Sequence, residues 1–125
     1  MFSDSTPYTI LIVEPNLDLQ KPYAFLDQKL FKIIRVSNIL TANNELQKQD
    51  FNLVLLSCSF SNKKILNFLE SLKLASKSQI IPLLLVVDLN QPYSIVPGLN
   101  WDQKIAVLSS QSAEEELSTI LHRLL

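Results

Sequence analysis

The chain has 125 residues, of which 47% are hydrophobic and 18% are charged, a composition that predicts one folded domain over residues 1–125 and excludes a disordered chain. Its formal net charge is −1, so it lacks the basic surplus expected of a protein that binds nucleic acid or an anionic membrane. A single glycine excludes a glycine-rich phosphate loop, and the single cysteine, Cys58, cannot form an intrachain disulfide, which favours a cytoplasmic location.

The first part of the chain predicts two strands, each followed by a helix. Thr9–Val13 is a short apolar run of strand length, and apolar residues then recur at helical spacing from Leu17 to Leu30. Phe31–Val36 predicts a second strand, which ends in a turn at Ser37-Asn38. A short helix is expected from Leu40 to Lys48.

The middle of the chain predicts a buried strand and a longer helix. Phe51–Leu56 is an unbroken apolar run that follows a polar turn, and Ser57 stands at its carboxyl end. Asn62 is the expected N-cap of the next helix, because its side chain can accept hydrogen bonds from the free amides of the first turn. The apolar face predicted for this helix comprises Ile65, Leu66, Phe68, Leu69 and Leu72.

The last third predicts two more strands and a terminal helix. The strands are Ile80–Val87, with a proline tolerated near its start, and Lys104–Leu108. Residues 88–101 contain two prolines and the glycine, and they predict at most one short helix. A helix is expected from Ser112 to the end of the chain. This alternation predicts an α/β fold with a parallel sheet and helices on both faces.

Several motifs resemble the receiver domain of two-component response regulators, which is CheY-like. ILIVEPN at 10–16 stands where receivers carry a strand followed by acids, and FNLVLLS at 51–57 stands where they carry the phosphoacceptor strand. IPLLLVVD at 81–88 and AEEELSTIL at 113–121 match the fourth strand and the last helix. The resemblance covers nearly the whole chain. It implies a flavodoxin-like five-stranded parallel sheet in the order 2-1-3-4-5, with an eroded fourth helix.

The resemblance breaks at the residues that carry receiver chemistry. Receivers use two acids for Mg²⁺, a phosphoacceptor aspartate, a hydroxyl that binds the phosphoryl group and a lysine, because phosphoryl transfer depends on charge compensation. In this sequence the five parts fall on Glu14, Pro15, Ser57, Val87 and either Ser109 or Ser110. One acid remains. The resemblance therefore implies a pseudo-receiver with a degenerate phosphorylation pocket, no catalytic residue, no metal and no cofactor.

The function expected of such a chain is signalling through a protein partner, not enzymatic catalysis. By resemblance, the partner surface is the region from Tyr93 to Trp101 together with the outer side of residues 112–125. Tyr93 and Trp101 are the interaction candidates, because aromatic residues beside a proline-containing loop often anchor interfaces. Trp101 can equally fold back over the end of the sheet. The partner, the pathway and homodimerisation stay open.

Two alternative functions use the carboxyl ends of the strands. A small-molecule sensor could bind a flat ligand such as a quinone beside Pro15, Phe60 and Val87. An enzyme could use Ser57 as a nucleophile, although only Glu14 and Asp88 are offered as bases. Neither alternative has a motif in its favour. Cys58 is expected to act as a small buried hydrophobe and not as a redox thiol, since no basic neighbour is evident in the sequence.

Overall fold

A computed structural model of the chain describes residues 8–16, 31–75, 81–87, 105–109 and 119–120. These residues form β1 (Tyr8–Val13), β2 (Phe31–Val36), α1 (Ile39–Lys48), β3 (Leu53–Ser57), α2 (Asn62–Ala75), β4 (Leu83–Val87) and β5 (Ile105–Ser109). The helices expected at 17–30 and within 88–101 lie outside the described residues. Of the expected terminal helix, Thr119 and Ile120 are described, and both are helical. No helix in the described ranges is long and apolar enough to cross a membrane.

The five strands form one parallel sheet in the order β2-β1-β3-β4-β5, which confirms the predicted order. Val13 at the end of β1 pairs with Val36 of β2 and with Leu56 of β3. Val87 at the end of β4 pairs with Ser109 of β5. Because all strands run in the same direction, their carboxyl ends lie at one edge of the sheet, which is called the carboxyl edge below.

The core lies on both faces of the three central strands. Helices α1 and α2 cover one face, where their apolar residues pack with alternate residues of β1, β3 and β4. The other face packs against Phe31 and the helical residue Ile120. Residues of β1 from Ile10 onward, and all residues of β3 and β4, are buried. Burial on both faces explains why these strands read as continuous apolar runs and not as alternating patterns.

Two strands begin later than the sequence pattern predicts. β3 begins at Leu53 and not at Phe51. Before Leu53, the side chain of Asn52 takes the place of a backbone carbonyl in the hydrogen bonding between β3 and β1. Asn52 Oδ1 accepts from the Thr9 amide at 2.8 Å, and the Asn52 amide donates to the Thr9 carbonyl oxygen at 2.8 Å. This double contact fixes the amino end of β3 against β1.

β4 begins at Leu83, after the proline that interrupts the predicted run from Ile80. Pro82 has no amide hydrogen to donate, but its carbonyl oxygen accepts from the Val54 amide at 3.0 Å. β1 starts one residue earlier than predicted, at Tyr8, and β5 continues one residue further, to Ser109.

The residues at which α1 and α2 begin correct two of the predictions made from the sequence. Asn38 caps α1, since its Oδ1 accepts from the Thr41 amide at 2.8 Å, and α1 therefore begins at Ile39 directly after the expected turn. The prediction that Asn62 caps α2 is wrong. Asn62 is already helical, and Ser61 Oγ accepts from the Lys64 amide at 3.4 Å.

The prediction that Leu66 lies on the buried face of α2 is wrong. The buried residues of α2 are Ile65, Phe68, Leu69 and Leu72, whereas Leu66 is 52% exposed. Adjacent helical residues point about 100° apart, so Leu66 leaves the face on which Ile65 is buried.

Candidate functional site

Glu14 and Ser57 lie next to each other across the carboxyl edge. Glu14 directly follows β1, and Ser57 is the last residue of β3. Both come one residue after the paired Val13 and Leu56, so the register places them at equivalent positions on adjacent strands. Two residues that the sequence predicted at separate strand ends are therefore brought together.

Ser57 is buried, with 2% of its surface exposed, and its hydroxyl is engaged within its own turn. Ser57 Oγ accepts a hydrogen bond from the backbone amide of Ser59 at 3.2 Å. Such a serine turn fixes the first residues of the β3–α2 connection. At the position that the sequence resemblance predicts for the receiver carboxylate, this chain has a neutral side chain that serves local backbone structure.

Glu14 is also buried, with 4% of its surface exposed. Its backbone amide donates to the carbonyl oxygen of Val36 at 3.0 Å, which extends the β1–β2 ladder by one bond. Its Oε2 accepts from the Asn16 amide at 3.2 Å, across the exposed Pro15. The carboxylate thus shapes the turn that leaves β1.

The other positions of the predicted pocket are apolar or lack described side chains. Val87 is buried at the end of β4 and carries no hydroxyl for a phosphoryl oxygen. Ser109 is the last residue of β5 and pairs with Val87, and the structure describes its backbone but not its side chain. Ser110 lies outside the described residues, as do Asp88 and the interaction candidates Tyr93 and Trp101.

Among the residues that the structure describes, the donor set at this edge does not fit Mg²⁺. A hard cation prefers several oxygen ligands, and Mg²⁺ sites in proteins use carboxylates together with water or phosphate oxygens. Glu14 supplies one carboxylate, the side chain of Pro15 supplies no donor, and the Ser57 hydroxyl already accepts from the backbone. Within the described ranges, no three His, Cys, Asp or Glu residues could together hold a metal ion.

Cys58 follows Ser57 and is half-buried against the core beneath α1 and α2. Its amide donates to the Val86 carbonyl oxygen at 2.9 Å, so the strand pairing continues past the end of β3. Burial raises the pKa of the Cys58 thiol to about 11, which keeps it protonated at neutral pH. Such a thiol packs as a small hydrophobe and is a poor nucleophile.

The sequence reading missed the polar contacts that shape this edge and the surface next to it. The Ser57–Ser59 turn was not predicted, although serines on both sides of Cys58 are a signal for one. A bridge between Asn43 of α1 and Asn67 of α2, 3.1 Å long, was also missed, because no local pattern links two amides on different helices.

Comparison with known proteins finds likeness in structure and none in sequence. No protein-family model matches the chain, and no curated protein sequence is significantly similar to it. The chemotaxis response regulator CheY4 of Vibrio cholerae is similar with a TM-score of 0.77 and 17% identity, over 96% of this chain and 100% of that one.

Two further solved structures give the same result. The receiver domain of the sensor histidine kinase PA1611 from Pseudomonas aeruginosa PAO1, solved with a magnesium ion in its active-site cleft, has a TM-score of 0.76 at 16% identity over 95% of this chain and 98% of that one. A CheY-like receiver domain protein from Methanospirillum hungatei JF-1 has a TM-score of 0.70 at 18% identity, over 95% and 94%. The strand order and these structural similarities together show that the chain has the CheY-like, flavodoxin-type fold of response-regulator receiver domains.

Proposed function

We propose that this chain is a receiver-like signalling domain that does not accept phosphate and that acts by binding another protein, in a bacterial two-component or related regulatory pathway. The observation that carries the proposal is Ser57, a buried neutral residue at the end of β3 whose hydroxyl accepts from the Ser59 amide. The receiver fold of the structural neighbours supports a signalling role, and the changed carboxyl edge supports a role without phosphate.

The described residues at this edge lack several of the groups that phosphate acceptance in receivers requires. A carboxylate attacks phosphohistidine or a small phosphodonor directly and forms an acyl phosphate, whereas a serine needs a general base to remove its proton. Receiver chemistry also needs positive charge and donors around the transferred phosphoryl group. Pro15 and Val87 supply neither at the positions where receivers carry an acid and a hydroxyl.

The proposed mode of action is therefore binding without catalysis. The partner is a signalling protein, and its surface on this chain is the region from Tyr93 to Trp101 with the outer side of residues 112–125, as the resemblance to receivers implies. Because the chain cannot switch by phosphorylation in this account, its affinity for the partner does not depend on a phosphodonor.

The proposal is tested by incubating the protein with acetyl phosphate and Mg²⁺, and then measuring its intact mass and its melting temperature. The expected result is no added phosphoryl group and no shift in melting temperature. The receiver domain of PA1611, treated in parallel, controls for the activity of the reagent. Phosphorylation of Ser57, located by peptide mapping and lost in Ser57→Ala, would overturn the proposal.

A further inference from the structure

A groove with a volume of about 330 Å³ lies between α1 and α2, the two helices that cover one face of the sheet. Three residues of each helix line it: Asn43, Leu46 and Gln47 of α1 and Ser71, Leu74 and Ala75 of α2. None of these side chains is charged. The volume is at the lower end of the range for ligand pockets, so it suits one or two side chains of a partner better than a large cofactor.

The amide bridge across the two helices is incompletely satisfied. Asn43 Nδ2 donates to Asn67 Oδ1 at 3.1 Å, and this bond ties α1 to α2 at one end of the groove. Asn43 Oδ1 is buried and has no hydrogen-bond partner among the described residues. A buried oxygen without a donor costs free energy, so the bridge stabilises the pairing of α1 and α2 less than a fully satisfied amide pair would.

Two exposed leucines, one on each helix, lie on the same side as the residues that line the groove. Leu40 precedes Asn43 by three residues and is 72% exposed, and Leu74 follows Ser71 by three residues and is 63% exposed. Residues three apart lie on the same side of a helix, so each leucine shares a side with the groove residue of its own helix. Leu74 also lines the groove, so its exposed side chain offers an apolar contact within the groove itself.

A positive charge stands on the same side of α2. Lys64 precedes Asn67 by three residues, is exposed, and has no ion-pair partner within the described part of the chain. It lies in the first turn of α2, which contains no acidic residue, although the helix dipole favours negative charge there. A carboxylate from outside would therefore be attracted both by Lys64 and by the helix end.

We propose that the groove between α1 and α2 binds an amphipathic helix of a partner protein, with an apolar side chain against Leu46 and Leu74 and a carboxylate facing Lys64. Lys64 and Leu74 are ten residues apart on α2, about 15 Å along its axis. A partner helix lying along the groove would therefore carry its acidic and apolar anchors about three turns apart. The proposal rests on the proposed function in one respect, since both take the chain to act by binding a protein.

The chemistry of the surface favours a protein helix over other occupants. A nucleic acid backbone would use Lys64 but gain nothing from the uncharged groove or from the exposed leucines, and the net charge of −1 opposes a polyanion. A second copy docked α2 against α2 would bring together helices that each carry three lysines and one glutamate. Like charges that meet across an interface disfavour it.

The test uses a phage-displayed library of amphipathic helical peptides, selected on the full chain, with affinities of the enriched peptides measured by fluorescence anisotropy. Leu74→Glu and Lys64→Glu are the test variants. Leu66→Glu and Lys73→Glu are matched controls, because they make the same changes at exposed positions on the side of α2 away from α1. Circular dichroism verifies that all four variants fold.

The expected peptides combine an acidic and an apolar anchor, and they lose about tenfold in affinity with either test variant but less than about twofold with either control. Equal losses in test and control variants, no enrichment, or enriched peptides without an acidic anchor would overturn the proposal. So would a dimer of the chain that Leu74→Glu dissociates. Peptides unaffected by the test variants would overturn this site alone, because the lack of phosphate acceptance in the proposed function is tested separately with acetyl phosphate.

Discussion

Replacing Ser57 by aspartate introduces the residue type that the resemblance to receivers implies for this position, and we expect it to destabilise the chain without making it a phosphoacceptor. The new carboxylate would stand buried at the end of β3, at the position adjacent to Glu14. The Ser57→Asn variant is the matched control, because it has the same size and shape without the charge.

The size of the effect follows from the strand register. Adjacent strands lie about 5 Å apart, and two carboxylates about 6 Å apart repel by about 3 kcal/mol at an effective dielectric constant near 20. Relaxation of the structure and entry of water around the introduced charge reduce this to about 2 kcal/mol. Burial and repulsion both raise the pKa of the new carboxyl above its unfolded-state value of about 3.9. The two variants should therefore be equally stable below about pH 4, and the aspartate variant should lose stability as the pH rises through its folded-state pKa.

The assay is urea denaturation of both variants at about pH 4 and about pH 8 in the absence of divalent cations. We expect Ser57→Asp to be less stable than Ser57→Asn by about 2 kcal/mol at the higher pH. If the aspartate variant were as stable as the control at about pH 8, the edge would contain cationic compensation and the reasoning would be refuted.

Three further outcomes test the packing and the helix ends. Phe68 of α2 is fully buried against the sheet, so Phe68→Ala should lower the free energy of unfolding by about 3–5 kcal/mol, whereas Leu66→Ala should change it by less than about 0.5 kcal/mol. Similar losses in the two variants would refute the assigned faces of α2. Asn38→Ala removes the acceptor for the Thr41 amide and should cost about 1 kcal/mol in urea denaturation, while Asn38→Asp should be nearly neutral. Burial raises the pKa of Cys58 from 9.0 to about 11, which lowers the fraction of reactive thiolate. Iodoacetamide at about pH 8 should therefore label the folded chain about 100-fold more slowly than the unfolded chain. Equal labelling rates would contradict the burial of the thiol.

The three central strands could be predicted from the sequence because they lie in the interior of the fold. β1, β3 and β4 are buried on both faces, which leaves continuous apolar runs that the sequence displays directly. The strand order came from the resemblance to receivers, since apolar runs by themselves do not state which strands are neighbours. The adjacency of Glu14 and Ser57 then follows, because parallel strands bring their carboxyl ends to one edge.

The details that were missed depend on contacts between distant residues. The side chains of Asn52 and Ser61 can accept a hydrogen bond either in a turn or at a helix cap. The backbone amide that donates to each side chain in the fold determines which of these it does. The face of Leu66 was ambiguous because apolar residues at 65, 66, 68 and 69 fit more than one helical stripe. The groove beside Asn43 depends on how two helices pack, which no periodicity within one helix records.

The central claim is that the carboxyl edge of this receiver fold has lost the capacity to bind a phosphoryl group. Its most direct test is a titration with Mg²⁺ and beryllium trifluoride, a mimic of the aspartyl phosphate, followed through the backbone amide signals of Glu14, Ser57 and Ser59 by nuclear magnetic resonance. The account predicts that these signals do not move at concentrations that saturate a receiver domain with a phosphoacceptor aspartate, measured in parallel. Saturable shifts at Ser57 and Glu14 would contradict the account and identify this edge as a working phosphoryl site.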